Sequence, residues 1–149
     1  MSTFTAIACH IVLSTKDRAP VLLPHSRRPD LFRYIWGIVK NRDGHLYRIN
    51  GVKDHLHILT SLHPSVSLAD LVKDIKTGSA RWIKQNRVFP AFSHWQEGYG
   101  AFTCSLQDLP GLIEHIKRQE EHHRKMTFEE EYRKLLADAG IESDERYLF

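Results

Sequence analysis

The segment DHLHILTSLH at positions 54–63 is the sequence feature that most constrains the fold. Its side chains alternate with a period of two, so His55 and His57 share one face of a predicted strand and Leu56 and Ile58 share the other. Both faces of this strand should be largely covered by the rest of the chain. The two imidazoles would then project side by side into one of the covering layers.

The remaining periodic segments fix the order of the elements around this strand. Alternating, β-branched runs predict further strands, whereas apolar residues at spacings of three and four predict helices, the second of which opens with Ser67 as its N-cap. In chain order these are a strand at 9–15, a helix within 27–44, a strand at 45–54, the histidine strand at 55–63, a helix within 67–87, a strand at 102–106, and helices within 107–125 and 127–141.

This order predicts an α+β fold of the ferredoxin-like, split βαβ type. We expect an antiparallel sheet with helices on one face and a C-terminal helical extension. The whole chain, 1–149, should form one domain, with residues 1–125 as the ferredoxin-like core and residues 126–149 as the helical tail.

Composition excludes several classes of protein. A hydrophobic content of 42% and a charged content of 26% are ordinary for a folded domain, and no apolar run reaches membrane-spanning length. The start of the chain lacks the pattern of a secretory signal, and two cysteines give no disulfide framework, so we expect a cytoplasmic protein without a membrane partner. A net charge of +3 permits nucleic acid as a partner without requiring it.

The histidine pair allows two interpretations from its spacing alone. Two imidazoles at i and i+2 can reach one metal ion, but a bare His-x-His is more often a pair of hydrogen-bonded, half-buried histidines. Leu59 stands where a histidine-triad hydrolase would need a third His and where a two-histidine phosphoesterase would need Ser or Thr, and no Glu follows within a cupin's spacing. A third ligand should come from the helix after the last strand, where His115, Gln119 and His123 recur every four residues.

A predicted nucleic-acid surface lies on the second helix. Basic side chains fall on one side of that helix, and two more lie in the turn after the first strand, so together they could neutralise a phosphate backbone; a solvated helix face would look the same. The residues are Lys73, Lys76, Arg81, Lys84 and Arg87, with Lys16 and Arg18 in the turn. Three aromatic residues, Trp95, Tyr99 and Phe102, could stack on unpaired bases, although core packing is the more common role of such side chains.

Five segments together resemble the single-strand tyrosine transposases of bacterial insertion sequences. The resemblance is to the His-hydrophobe-His, insertion-sequence-200-like type, and especially to the relatives associated with repetitive extragenic palindromes. It covers nearly the whole chain and is specific as an ordered set. The segments are HIVLSTKDRAP, GVKDHLHILTSLHPSVSLADLVKDIKTGSARWI, WQEGYGAF, QEEHHRKMTFEEEYRKLL and DERYLF.

The resemblance implies a site and a reaction. The metal ligands would be His55, His57 and Gln119, holding Mg²⁺ or Mn²⁺, and the family's nucleophilic tyrosine, four residues before the glutamine, corresponds to His115. The implied partners are single-stranded or hairpin DNA and a second copy of the chain in a homodimer. The implied reaction cleaves and rejoins DNA through a covalent protein–DNA intermediate in transposition.

The histidine at position 115 leaves alternatives open. The protein is either an active strand-transfer enzyme or a catalytically impaired or domesticated DNA-binding module. Tyr132 or Tyr99 could replace the missing nucleophile, although both are more simply packing or loop residues, and Tyr34 and Tyr47 suit core or sheet positions. A metal-dependent phosphoesterase acting on small substrates is a third alternative.

Overall fold

A computed structural model describes residues 1–118 and 126–142 of the chain. The strands are β1 (Ala8–Ser14), β2 (Leu46–Gly51), β3 (His55–Ser61) and β4 (Gly100–Cys104), and the α-helices are α1 (Arg28–Asn41), α2 (Leu68–Gln85), α3 (Leu109–Lys117) and α4 (Phe128–Asp138). Short 3-10 turns occupy Lys16–Arg18 and His25–Arg27.

The four strands form one sheet in the order β2-β3-β1-β4, in which all neighbours are antiparallel. The strands β1 and β3 are therefore central, and each β-α-β connection skips over the strand inserted between its ends. This is the split βαβ arrangement, so the predicted ferredoxin-like α+β fold is confirmed.

One face of the sheet packs against α1 and α2. The inward-facing residues of the central strands, such as Ile11 and Ile58, join the apolar stripes of both helices in a single buried cluster. Burying such aliphatic side chains contributes about 1.5–3 kcal/mol each. The helix α2 starts as predicted, because the Ser67 hydroxyl oxygen accepts a hydrogen bond from the backbone N–H of Asp70 at 3.1 Å.

The opposite face carries the C-terminal helices. A smaller apolar cluster joins Leu59 of β3 to Leu109 and Ile116 of α3. The amide of Asn50 on β2 donates to the carbonyl oxygens of Ile116 at 3.0 Å and Lys117 at 3.2 Å, and so satisfies the end of α3. Helices thus cover both faces of the sheet, as predicted for the strand that carries His55 and His57.

Three details of the sequence prediction are wrong. The helix predicted within 107–125 ends at Lys117, where Asn50 caps it, and its predicted remainder at 119–125 lies outside the described residues. Arg87 is not on α2, because the helix ends at Gln85 and Arg87 has a left-handed backbone with φ 50°. Tyr34 is not in the core: its side chain lies on the surface, stacked on Trp82 with ring centroids 5.0 Å apart.

Candidate metal centre and nucleic-acid interface

Antiparallel pairing of the central strands brings three histidines to the face that α3 and α4 cover. His10 of β1 is paired with Leu59 and Val12 with His57, so His10 lies diagonally next to His57 on that face. All three imidazoles are buried, with 3% of His10 and 1% of both His55 and His57 exposed. Buried imidazoles need polar partners, and those partners define the site.

Asp54 orients His55. The Nδ1 atom of His55 lies 2.7 Å from Asp54 Oδ1, a distance at which the imidazole N–H donates to the carboxylate. Although burial alone would raise the pKa of Asp54, the hydrogen bond from His55 and the nearby Arg18 hold that pKa below its ordinary value. With Nδ1 committed to Asp54, Nε2 is the ring nitrogen of His55 that would coordinate a metal ion.

His10 fixes the ring of His57. His10 Nε2 lies 2.7 Å from His57 Nδ1, and the two rings are tilted with centroids 4.9 Å apart. Burial lowers the pKa of His10 to about 3, with the neighbouring His57 as a further cause. Burial also lowers the pKa of His57, against the opposing effect of Glu131. Both rings are therefore neutral at pH 7, as coordination requires.

A carboxylate from the C-terminal helix completes the cluster. Glu131 of α4 is 4% exposed, and its Oε1 atom lies 2.7 Å from His57 Nε2. The other carboxylate oxygen, Oε2, lies 3.6 Å from His115 Nε2 of α3. The Thr127 hydroxyl oxygen accepts from the Glu130 N–H at 3.2 Å and caps the N-terminus of α4.

The donor set fits a divalent cation. Among the described residues, His55, His57 and Glu131 form a group whose potential ligand atoms all lie within 4.8 Å of one another. Two neutral imidazoles and one carboxylate are a common set for first-row divalent metals. Gln119, which the resemblance implies as a ligand, lies outside the described residues, whereas Glu131 went unrecognised in the sequence.

Residues near this cluster differ in how well they could serve as a nucleophile. The side chain of His115 is 42% exposed, and its ring lies at the edge of the group next to Glu131. Tyr132 instead packs between Phe102 and Phe128 and touches Gly100, and burial raises its pKa. A phenolate is therefore disfavoured at Tyr132. Tyr99 is 43% exposed and precedes β4.

The predicted basic surface divides into two parts. The exposed residues Lys73, Arg81 and Lys84 lie on α2, across the sheet from the histidines. Lys76 is partly buried and donates to the carbonyl oxygens of Gln96 at 2.7 Å and Gly98 at 2.6 Å, so it anchors the loop before β4.

The other predicted binding residues lie in three different places. Lys16 lies near Lys76. Arg18 lies on the side of the metal ligands, with its Nε atom 3.9 Å from Asp54 Oδ2. Trp95 is a core residue that donates to the Ser79 hydroxyl at 2.9 Å, and Phe102 is half-buried beside His10. Of the three predicted stacking residues, Tyr99 is the exposed one.

The fold and this cluster define a ferredoxin-like domain with a group of two histidines and a glutamate that could hold a metal ion, and comparisons with known proteins identify its family. The family model described as "Transposase IS200 like" matches residues 3–119. The chain belongs to this family. A search of curated proteins finds no match.

Solved structures share the fold. A transposase-like protein from Deinococcus radiodurans R1 is 22% identical, with a TM-score of 0.61 over 80% of this chain and 95% of that chain. A REP-associated tyrosine transposase bound to a REP hairpin is 14% identical, with a TM-score of 0.61 over 83% of this chain and 74% of that chain. No helix among residues 1–118 and 126–142 is long and apolar enough to cross a bilayer.

Proposed function

We propose that this protein binds single-stranded or hairpin DNA and cleaves and rejoins it with the help of a divalent metal ion. The observation that carries the proposal is the convergence of His55, His57 and Glu131 on one point of the sheet in a chain of the transposase family. The solved relative bound to a REP hairpin supports hairpin DNA as the ligand. A homodimer, which the resemblance implies, and a cytoplasmic location, which the composition predicts, are part of the proposal.

The ion we propose is Mn²⁺ or Mg²⁺. When bound, such an ion withdraws charge from the non-bridging oxygens of a phosphodiester and orients the group for attack. His55 and His57 would hold it through Nε2, and Glu131 would supply a carboxylate oxygen. Two imidazole ligands favour Mn²⁺ over Mg²⁺, because Mg²⁺ prefers oxygen donors. Gln119 remains a proposed additional or exchanging ligand.

His115 is the residue we propose as nucleophile. Its Nε2 atom lies 3.6 Å from Glu131 Oε2, beyond hydrogen-bond distance, and we propose that the nearby negative charge favours the tautomer with its proton on Nε2, in which the Nδ1 lone pair attacks. A nitrogen–phosphorus bond would form, the bond from phosphorus to the leaving sugar oxygen would break, and that oxygen would take up a proton from solvent water. Attack by the sugar hydroxyl of a second strand end would reverse these changes and rejoin the DNA.

A DNA-binding module without this chemistry is the second candidate. Two observations favour it: position 115 carries His rather than Tyr, and His55 and His57 are each 1% exposed beneath α4. The Phe128 ring stacks on His55 with centroids 3.7 Å apart, so a phosphodiester would reach the metal ligands only after α4 shifts. Both candidates predict salt-sensitive DNA binding, and only the enzyme predicts a metal-dependent covalent adduct.

A denaturing-gel assay for the covalent adduct separates the candidates. The substrate is single-stranded, hairpin-containing DNA from the region flanking the gene, incubated with Mn²⁺ or with chelator. We expect an acid-labile adduct from the unmodified protein that His115→Ala and His57→Ala abolish. If the His115→Tyr variant forms the adduct and the unmodified protein does not, the metal and DNA sites are intact and the unmodified protein lacks a working nucleophile. Absence of DNA binding by the unmodified protein would contradict both candidates.

A further inference from the structure

A large pocket, here called the β4 pocket, lies between β4, the start of α3 and the end of α4. Its volume is about 870 Å³, within the range of sites that hold small molecules. It shares no residue with the group of His55, His57 and Glu131. The lining residues that give the pocket its chemical character are His10, Phe102, Asp108, Gly111, Leu135 and Asp138.

The charged side chains that line the β4 pocket are acidic. They are Asp108 and Asp138, and no described lysine or arginine belongs to the lining. Neither carboxylate has a hydrogen-bond or ion-pair partner among the residues that the structure describes. The charge of Asp108 acts inside the pocket, because it adds to burial in raising the pKa of the Cys104 thiol, which also lines the pocket. The pocket therefore attracts a cation and repels an anion.

Asp138 stands at the end of a helix that least favours a carboxylate. It is the last residue of α4, whose C-terminal end carries partial negative charge, and no basic residue lies in the last turn of this helix. Leu135 and Ala139 bring this helix end into the pocket wall. Asp108, by contrast, is the N-cap residue of α3, where a carboxylate offsets the positive end of the helix. A bound cation would offset the unfavourable placement of Asp138.

A buried ring nitrogen adds a further acceptor. His10 lines the pocket and is 3% exposed, and its Nε2 atom lies 2.7 Å from His57 Nδ1. Its other ring nitrogen, Nδ1, has no hydrogen-bond partner within residues 1–118 and 126–142. In the neutral ring that donates through Nε2, Nδ1 carries a lone pair. Because buried polar atoms normally have partners, this atom indicates that a ligand with an N–H donor completes the site.

The remaining wall of the β4 pocket is mostly apolar. Phe102, Leu112 and Leu135 are half-buried there. Gly111 leaves space in the pocket, because a Cβ at this position would meet no atom within 4 Å beyond its neighbours along the helix. An aromatic ring also suits a positively charged group, which its π-face attracts. The ligand should therefore combine a positive charge with an apolar body.

We propose that the β4 pocket binds an organic cation that carries an ammonium or guanidinium group on an apolar body. The carboxylates of Asp108 and Asp138 would attract the positive group, an N–H of the ligand would donate to His10 Nδ1, and the apolar body would pack on Phe102. A free polyamine, or a lysine or arginine side chain of another polypeptide, has this chemistry. The site uses neither the metal ion nor DNA, so it is independent of the proposed function.

The test is an NMR titration of the ¹⁵N-labelled full chain at low salt. The probes are spermidine and the peptide acetyl-Leu-Arg-Leu-amide, and the same peptide with citrulline in place of arginine is the neutral control. We expect both cationic probes to shift the amide signals of Ala101, Thr103 and Gly111. Asp138→Asn should weaken binding about threefold to tenfold, the effect of one charge-assisted contact at an exposed site. Glu130→Gln, exposed on the same helix and outside the pocket, should bind as the unmodified protein does.

A second pair of variants tests the position of the ligand without changing a charge. Gly111→Leu places a side chain in the open space and should abolish binding, whereas Gly111→Ala leaves most of that space and should retain it. Urea unfolding verifies that each variant is folded, and Asp138→Asn remains informative if Gly111→Leu is not. Tighter binding of the peptide than of spermidine would assign the cation to a polypeptide, and the reverse order would assign it to a polyamine.

Three results would overturn the proposal. The first is equal binding of the arginine and citrulline peptides. The second is equal affinity of Asp138→Asn and Glu130→Gln for the cationic probes, together with unchanged binding by folded Gly111→Leu. The third is the absence of shifts at Ala101, Thr103 and Gly111 at millimolar concentrations of both cationic probes. None of these results depends on whether the protein binds or cleaves DNA.

Discussion

Acid should destabilise the metal-free protein between pH 7.5 and 5, and His10 should be a principal cause. The pKa of His10 is about 3 in the folded protein and 6.5 as its ordinary value, so within this window the unfolded chain binds a proton that the folded protein excludes. Stability therefore falls as the pH falls below 6.5. For one such group the loss between pH 7.5 and 5 is about 2 kcal/mol, and the lowered pKa of His57 acts in the same direction.

The assay is urea unfolding in the presence of chelator at half-unit pH steps. Asp54 and Asp30 have lowered pKa values, but their ordinary value is 3.8, so the stability they confer is lost only below about that pH and does not contribute here. His10→Gln keeps a hydrogen-bonding side chain without a titrating ring and should remove about 2 kcal/mol of the pH dependence. A stability that stays constant or rises from pH 7.5 to 5, or a His10→Gln profile parallel to that of the unmodified protein, would refute this reasoning.

Three further substitutions test how the covering helices are held, each by urea unfolding at pH 7.5. Thr127→Ala removes the N-cap of α4 and should cost about 1 kcal/mol, with Thr127→Ser as a control that retains the hydroxyl. Asn50→Leu removes the donor to the last carbonyls of α3 and should cost about 1–3 kcal/mol, so unchanged stability would show that water replaces the cap. Gly100→Ala places a Cβ 2.6 Å from the Tyr132 hydroxyl and should cost about 1–3 kcal/mol, a cost that should be smaller when the same substitution is made in a Tyr132→Ala background.

Local periodicity was enough to predict the sheet and the helices that pack on it. The alternation around His55 and His57 correctly placed them on one covered face, and the cap at Ser67 correctly started α2. The end of α3 was missed, because the amide that terminates this helix comes from Asn50, far away in sequence. Local spacing carries no signal for such a contact.

The acidic member of the candidate site could not be found for a related reason. Glu131 is one of three consecutive glutamates in the first turn of α4, where carboxylates favour the helix dipole whatever their function. Its burial against His57 results from the packing of α4 on the sheet through Phe128. Only the fold distinguishes this glutamate from Glu129 and Glu130. Gln119, which the family resemblance implies as the third ligand, lies outside the described residues.

The hydrogen bonds of His57 imply that metal binding changes its tautomer. His57 Nε2 lies 2.7 Å from Glu131 Oε1, and for a neutral ring beside a carboxylate we expect the proton on Nε2 in the metal-free protein, with Nδ1 accepting from His10 Nε2. A coordinated ion takes the Nε2 lone pair instead. The proton must then lie on Nδ1, and His10 Nε2 becomes the acceptor.

Each ring keeps one proton throughout this exchange, so Mn²⁺ binding at pH 7.5 should release few protons to buffer. Calorimetry in two buffers of different ionisation enthalpy measures that number, and ¹⁵N chemical shifts of labelled histidine with diamagnetic Zn²⁺ report the tautomers. His10→Phe, which cannot accept the Nδ1 proton, should weaken metal binding, whereas His10→Gln should restore part of the affinity. Release of a full proton would mean that His57 is cationic, which its burial opposes, or that Glu131 is protonated before the metal binds, and either result would contradict the neutral-ring exchange.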